Sequence, residues 1–418
     1  MNSSGLPLLI VEDNPMYAEI LQRLLPTLGA DLRFSAQWVD TAEKAYEALE
    51  RTRYDLVLLD YRLPGADGLE VLARIRQRPP DQQPAVIMLT GMGNEAIAVQ
   101  AMKSGAKDYL AKDQLDAPSL IRAITSALER KRLESQVAHY TEELRQKNEQ
   151  MEADLVMASE VQQAFLPQHY PGFPRLAAPE ASALRFAHRY QPSRAVGGDF
   201  FNVLALSDTL AGVFICDVMG NGVRAALVTA IVRALVEELE PIAADPGQLL
   251  THINLRLLTI LKPTRGPMFT SAFYLVADLA RGQLLYANAG HPDPIHLQRR
   301  AGTVQLLRDP ACPPGPALGV FAESTYPTST APLAANDLLF LFTDGLFEAQ
   351  GANGEEFGLD RLLAAVRQRF QLDPARLVDE LLAEVSRFSA QTEFSDDTCL
   401  LGMEVIRLQP PGAAHASP

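Results

Sequence analysis

Apolar runs in this chain repeatedly stop at carboxylates. LLIVED (8–13), YDLVLLD (54–60), GVFICD (212–217) and LFLFTD (339–344) end on acids, while AVGGDF (195–200) and FSDDTCL (394–400) set acids beside glycines or another apolar run. Runs rich in Val, Ile, Leu and Phe read as buried strands. A carboxylate at the end of such a strand must be paired, hydrogen-bonded or bound to a cation, because an unpaired buried charge is very costly. The chain must therefore build sheets whose edges collect acids, and it must do so in two separate regions.

At 418 residues the chain is too long for one ordinary domain, and two or three units are expected. Residues 8–112 alternate continuous apolar runs with amphipathic stretches: LLIVED then 15–28, YDLVLLD then 67–76, AVIMLT then 95–103, and finally DYLAK. Strands this continuously apolar have no wet face, which predicts a doubly wound α/β domain with a parallel sheet of five strands covered on both sides. From about 118 to 165 Gly is absent and Glu, Gln, Arg and Lys abound, predicting one long helix that Pro167 ends. Leu133, Val137, Tyr140, Leu144, Lys147 and Met151 alternate in steps of four and three, a heptad seam that predicts a coiled coil between two copies of the chain, although a helix lying along the neighbouring domain of its own chain would give a similar stripe. Leu155 comes four residues later instead of three, followed by Ala158, a stutter that locally unwinds a supercoil.

After a Pro-rich loop (167–179), residues 184–407 carry grouped strand-like runs (GVFICDV, SAFYLVADL, QLLYANA, DLLFLFTDG, TCLLGMEV), separated by helical stretches at 222–239, 246–260 and 359–389. That grouping predicts an α+β domain with largely antiparallel sheets. The expected division is a first domain over 1–125, a helical coiled-coil linker over 126–166, a second domain over 180–407 and a disordered tail over 408–418, whose Pro, Ala and Gly have nothing to bury.

Charge and cysteine usage narrow the function. A net charge of −14 and no clustered Lys or Arg argue against a nucleic-acid surface, and no helix-turn-helix-like segment supports a transcription factor. Cys216, Cys312 and Cys399 are far apart and odd in number, so buried reduced thiols are expected in place of disulfides or a zinc site. No apolar run reaches the ~18 residues of a membrane span, and the start lacks a signal peptide's pattern, so no membrane role and a cytoplasmic location are expected.

In an open parallel sheet the carboxyl ends of strands line the ligand crevice, and Glu12, Asp13 and Asp60 all fall there. Mg²⁺, which accepts one or two carboxylates plus water and phosphate oxygens, suits such a set. Thr90 adds a hydroxyl, and Lys112 adds a compact positive charge for an acyl phosphate oxygen. With LDYRLPGADG, carrying Pro64 and Gly68 after Asp60, this constellation resembles the receiver domain of two-component response regulators over residues 6 to about 125. The resemblance implies that Asp60 is phosphorylated by a sensor histidine kinase or phosphotransfer protein. It also implies that Glu12, Asp13, Asp60 and the carbonyl of Arg62 hold Mg²⁺, and that Thr90, Tyr109 and Lys112 form the switch. Asp113 stands where that family usually has Pro.

In the second region Asp199, Asp217, Asp344 and Asp396 can converge at one sheet edge. Hard oxygen ligands without His or Cys favour Mg²⁺ or Mn²⁺, and four carboxylates imply more than one ion. Two such ions can lower the pKa of a bridging water and polarise a phosphoryl oxygen, chemistry for phosphate-ester hydrolysis without a protein nucleophile. Gly197, Gly198, Gly220 and Gly222 would let backbone come close to that site.

The motifs ASEVQQAFLP, AVGGDF, DVMGNG, NAGHPDP, FTDGLFE and SDDT, in that order, closely resemble the sporulation-type branch of the PPM metal-dependent protein serine/threonine phosphatases over about 158–405. The resemblance implies a central β-sandwich flanked by helices and two Mn²⁺ or Mg²⁺ ions bridged by Asp217. Asp344 and Asp396 would complete one ion, Asp199 would support either the other ion or the groups around the ligands, and the carbonyl of Val218 would be a further ligand. It implies a phosphoserine or phosphothreonine protein as substrate, most often an anti-sigma-factor antagonist. Phe201-Asn202 replace the family's usual Tyr-Asp after GGDF, and Met219 and Asn221 replace its commoner Ser and His. His291 reads as a turn residue beside Gly and Pro. A phosphorylation-gated adaptor that binds a sigma factor or its regulator without chemistry is the alternative, and it would not need the metal acids.

Overall fold

The computed structural model describes residues 5–27, 33–91, 95–262, 268–389 and 394–409. The chain falls into two compact units, Met1–Glu149 and Gln150–Pro418. In the first, β1 (Leu6–Val11), β2 (Phe34–Val39), β3 (Leu56–Asp60), β4 (Ala85–Thr90) and β5 (Asp108–Ala111) form a parallel sheet in the order β2-β1-β3-β4-β5. Helices α1 (Pro15–Leu24), α2 (Ala42–Arg51), α3 (Gly68–Arg76) and α4 (Glu95–Lys103) connect them.

Successive strand residues face opposite sides. Leu8, Ile10, Leu56, Leu58, Ile87 and Leu89 enter one core with Leu21 and Ile124, while Leu9, Val11, Val57, Leu59, Val86 and Met88 enter another with Val71, Leu72 and Ile75. Two apolar layers on one sheet explain runs that never alternate. Because β2 and β3 flank β1 on opposite sides, the strand order reverses beside β1, and that switch point is where Glu12, Asp13 and Asp60 emerge.

Helix α5 spans Ala117–Gln163, close to the expected 118–165. Its first turns bury Leu120, Ala123, Ile124 and Ala127 in the core of the first unit. Further along, Leu133, Val137, Tyr140, Leu144 and Met151 are each more than half exposed. Arg145 pairs with Glu142 at 2.7 Å and Lys147 with Glu143 at 2.7 Å, neighbours three and four apart on the helix surface. Among the described residues, no helix is long and apolar enough to cross a membrane.

The second unit is a sandwich of two five-stranded sheets. β6 (Leu184–Gln191), β7 (Phe200–Ala205), β8 (Leu210–Val218), β9 (Thr270–Asp278), β10 (Gln283–Ala289), β11 (Ile295–Gln298), β12 (Thr303–Leu306), β13 (Ser329–Pro332), β14 (Leu338–Phe342) and β15 (Thr398–Val405) supply the strands. The orders are β13-β10-β9-β8-β7 and β12-β11-β14-β15-β6, and every neighbouring pair is antiparallel.

Period-two patterning sorts the side chains here as well. Leu339 and Leu341 of β14, with Cys399, Leu401 and Met403 of β15, enter the core shared with the other sheet. Leu338, Phe340, Phe342 and Leu400 turn instead to helices α8 (Leu359–Gln368) and α9 (Pro374–Phe388). Helices α6 (Val223–Glu238) and α7 (Pro246–Leu261) add Val228, Val232, Leu250 and Ile253 to the shared core.

One helical stretch expected over 359–389 is two helices. Asp373 breaks it by accepting hydrogen bonds from the backbone N–H of Ala375 and Arg376, both at 3.1 Å, with Pro374 in the first helical position. Of the expected tail over 408–418, Gln409 is tied to the body by its N–H to the Leu279 carbonyl at 2.9 Å, and residues 410–418 lie outside the described residues.

Candidate functional site

Two acidic clusters occupy these sheet edges. In the first unit, Glu12, Asp13 and Asp60 each bring a carboxylate oxygen within 4.8 Å of the others. Glu12 and Asp60 are buried and Asp13 is exposed. Lys112, just past β5, sets its Nζ 2.7 Å from Glu12 Oε2 and 2.8 Å from Asp60 Oδ2. Burial pushes the Asp60 carboxyl above its ordinary range, against the downward pull of Lys112 and of a backbone hydrogen bond from Arg62. Burial likewise raises Glu12, again opposed by Lys112. Thr90 is buried at the end of β4, and Tyr109 stands half exposed on β5. A side chain at Gly68 would collide with the Asp60 carbonyl, so only glycine lets α3 start this close to the cluster. Asp113 sits in a short 3₁₀ turn, Lys112–Gln114.

The second cluster follows from antiparallel pairing. The start of one strand lies beside the end of its neighbour, so Asp199, just before β7, meets Asp217 near the end of β8 through the pair Cys216↔Phe200. Asp199 thus precedes its strand, between the glycines and the apolar run. By the same logic Asp344, just after β14, meets Asp396, just before β15, through Phe342↔Leu400. Thr343 joins the two sheets: its Oγ1 donates to Asp199 Oδ2 at 2.6 Å and accepts from the Cys399 N–H at 2.9 Å. Asp199 Oδ1 is buried with no protein partner.

The carboxyls of Asp199, Asp217, Asp344 and Asp396 are shifted upward. Asp217 is pushed up to about 7, first by burial and then by the charges of Asp344, Asp396 and Asp397. Burial and then Asp217 raise Asp199, and burial and then Asp396 raise Asp344. The set is spread more widely than the triad of the first unit, which is the only one within 4.8 Å among the described residues. A wider all-oxygen cleft with an orphaned buried carboxylate oxygen fits two hard divalent ions, with Asp199, Asp217, Asp344, Asp396 and the Val218 carbonyl as the available donors.

Several neighbours lie within or beside the quoted motifs, but their roles had no signal in the sequence. Asp397, beside Asp396, is turned away to accept from Ser193 N–H at 2.7 Å, Ser193 Oγ at 2.9 Å and Gly198 N–H at 2.5 Å. Gln162, in the last turn of α5, exchanges two hydrogen bonds with the backbone of Gly197. The glycines also divide in role. A Cβ at Gly198 would sit 2.6 Å from the Val218 carbonyl oxygen, whereas Gly220 and Gly222 have open space and positive φ (86° and 80°), so they shape the turn into α6. His291 is locked in a turn by Asn288, whose Oδ1 accepts its N–H at 2.8 Å and whose Nδ2 donates to its carbonyl at 2.9 Å. Burial pushes its imidazole down to about 3, so it is neutral near pH 7 and poorly suited to donate a proton.

The molecule therefore combines a doubly wound domain with an acidic switch-point crevice and a β-sandwich with an acidic cleft between its sheets. Residues 8–125 match the response regulator receiver domain, and residues 207–406 match Stage II sporulation protein E (SpoIIE). The chain is a receiver domain joined to a SpoIIE/PP2C-type domain. It is 24% identical to phosphoserine phosphatase RsbP of Bacillus subtilis over 217 residues, 52% of this chain and 51% of that one. To phosphoserine phosphatase RsbU of the same organism it is 24% identical over 211 residues, 50% of this chain and 58% of that one. The SiaA-PP2C domain of Pseudomonas aeruginosa shares the fold, with a TM-score of 0.52 and 24% identity over 62% of this chain and 98% of that one. The chain spans about half the length of the curated relatives it matches.

Proposed function

We propose that the chain is a response regulator whose output is metal-dependent hydrolysis of phosphoserine or phosphothreonine on a regulatory protein. The observation that carries this reading is the convergence of Asp199, Asp217, Asp344 and Asp396 at one cleft, where burial first and neighbouring carboxylates second raise their pKa values. Such an arrangement is costly without cations and is suited to holding two of them. Bound Mg²⁺ or Mn²⁺ would supply a water of lowered pKa and polarise a phosphoryl oxygen. The protein's part is to fix the carboxylates, through Thr343 on Asp199 and through the glycine turns that bring the Val218 carbonyl to the cleft.

The substrate class follows from the relatives named as phosphoserine phosphatases, and a phosphorylated anti-sigma-factor antagonist is the proposed target. In the receiver, Glu12, Asp13, Asp60 and the Arg62 carbonyl would hold Mg²⁺. Asp60 would accept phosphate from a sensor histidine kinase or phosphotransfer protein, with Lys112 neutralising it. Movement of Thr90 and Tyr109 would then act through α5. The exposed stripe from Leu133 to Met151 supports pairing of α5 with a second copy of the chain. About 1 to 3 kcal/mol of coupling would change activity roughly 5- to 150-fold.

The test is turnover of a phosphoserine protein by the full chain with and without Mn²⁺, beside Asp344→Ala. Mn²⁺-dependent turnover that vanishes in the variant is expected. A wild-type chain that binds Mn²⁺ at the cleft yet releases no phosphate from any phosphoserine protein supplied would move the reading to an adaptor.

A further inference from the structure

The acidic cleft has an apolar border. Met219, 40% exposed, directly follows Val218, and its N–H donates to the Phe269 carbonyl at 3.0 Å, which sets the 37% exposed Phe269 beside it. Thr270, at the start of β9, then exchanges two backbone hydrogen bonds with Leu318, at 3.0 and 2.8 Å. Just beyond Leu318, Val320 and Phe321 are 39% and 52% exposed. Backbone pairing thus gathers four large apolar side chains next to the strand end that carries the Val218 carbonyl. Exposed apolar side chains scattered singly need no explanation, but a contiguous set beside a site marks an interaction surface.

This border is held rigidly from below. Asn254 of α7, fully buried, accepts from the Gly319 N–H through Oδ1 at 2.8 Å and donates from Nδ2 to the Phe321 carbonyl at 2.8 Å. Gly319 has a φ of 85°, and a Cβ there would sit 3.2 Å from the Met268 carbonyl oxygen, so the loop closes tightly on the segment before β9. A backbone fixed in this way presents Val320 and Phe321 to water already ordered, which lowers the cost of binding a partner.

Charge selects the occupant. From Cys312 to Ala322 there is no charged residue, in a chain of net charge −14. A phosphoserine carries about −1.5 to −2 charges at pH 7, so its protein approaches the cleft with least repulsion over this side. A second copy of the chain is disfavoured, because the same surface on both copies would bring the two acidic clefts together.

We propose that Met219, Phe269, Val320 and Phe321 form a docking ledge for the phosphoprotein substrate. The ledge covers an apolar patch on the folded protein that carries the phosphoserine, and so selects a folded domain over a bare phosphopeptide. The inference rests on the phosphatase reading of the cleft and adds the surface by which its substrate is recognised.

The experiment compares three Mn²⁺-dependent reactions of the full chain: with a folded, phosphorylated anti-sigma-factor antagonist from the same genome, with the phosphoserine peptide cut from it, and with p-nitrophenyl phosphate. Phe321→Ser and Val320→Ser remove apolar surface and leave the cleft carboxylates in place. Each is expected to raise KM for the folded protein about 10-fold with kcat kept, the scale of a well-buried interface side chain, and to leave the peptide and p-nitrophenyl phosphate reactions unchanged. Phe321→Leu should recover most of the loss. Wild-type KM for the folded protein in both Ser variants would overturn the inference and leave the phosphatase reading standing. So would equal losses on all three substrates, or a wild-type dimer that becomes monomeric in the variants by sedimentation velocity. A parent chain that hydrolyses p-nitrophenyl phosphate but not the folded protein would also overturn the inference, and one that hydrolyses none of the three would overturn both.

Discussion

The two acidic clusters solve one electrostatic problem in different ways. In the receiver, the charge acting most on Asp60 is the Lys112 ammonium, 2.8 Å away, so two buried carboxylates share a cation built into the chain. In the sandwich, the charges acting most on Asp217 are further carboxylates, and its pKa climbs to about 7. A cluster with its own cation is neutralised from within the chain, whereas one made of mutually repelling acids is suited to ions from solution. The comparison teaches that the receiver's carboxylates are balanced by a cation of the chain itself, whereas on the proposed reading those of the sandwich would be balanced by ions that also activate the hydrolytic water.

The largest expected effect separates the clusters directly. Asp344→Ala should lower Mn²⁺-dependent turnover at least about 1000-fold, beyond the loss usual for groups that merely orient a metal ligand. Labelling of Asp60 by acetyl phosphate should be unchanged, measured on the same preparation by phosphate-affinity electrophoresis. Next, Lys112→Met should cost the receiver about 3 kcal/mol, because it strands Glu12 and Asp60 without their cation. Urea unfolding with and without Mg²⁺ checks this, and a variant as stable as wild type in both would erase the contrast. Third, Mn²⁺ at about 100 times its dissociation constant should stabilise the sandwich by roughly 2.7 kcal/mol, or about 5 to 10 °C in Tm. Calorimetry should place that shift in the sandwich transition and remove it with chelator.

The smallest effect concerns His291, buried near the cleft and depressed to about 3. Its folded pKa lies below the unfolded value of about 6.5, so between these values the unfolded state binds the extra proton. Its contribution is therefore complete above pH 6.5 and is lost as pH falls towards 3. Between pH 7.5 and pH 5 the wild type should lose about 2 kcal/mol more than His291→Gln, read from denaturant midpoints.

The sequence made the strand ends legible because burial forces carboxylates to be noticed: a lone Asp against an apolar run has few bland explanations. The strands also announced which sheet was covered twice, since Leu8-Leu9-Ile10-Val11 must feed two cores. What could not be read were contacts without a spacing rule. Asp396 and Asp397 are adjacent and chemically identical, yet Asp397 turns to Ser193 and Gly198, about 200 residues away in the chain. Thr343 and Gln162 likewise act through partners 144 and 35 residues distant. The break between α8 and α9 was missed for a local reason, because the Asp373-Pro374 cap was hidden within an otherwise helical pattern.

The most direct measurement is the rate of phosphoserine-protein hydrolysis at limiting Mn²⁺, with and without acetyl phosphate, for the wild-type chain and Asp60→Asn. The account predicts a rate change of roughly 5- to 150-fold with acetyl phosphate in the wild type. It predicts none in the variant. Equal wild-type rates in both conditions, with Asp60 shown to be phosphorylated, would contradict control of the cleft by the receiver.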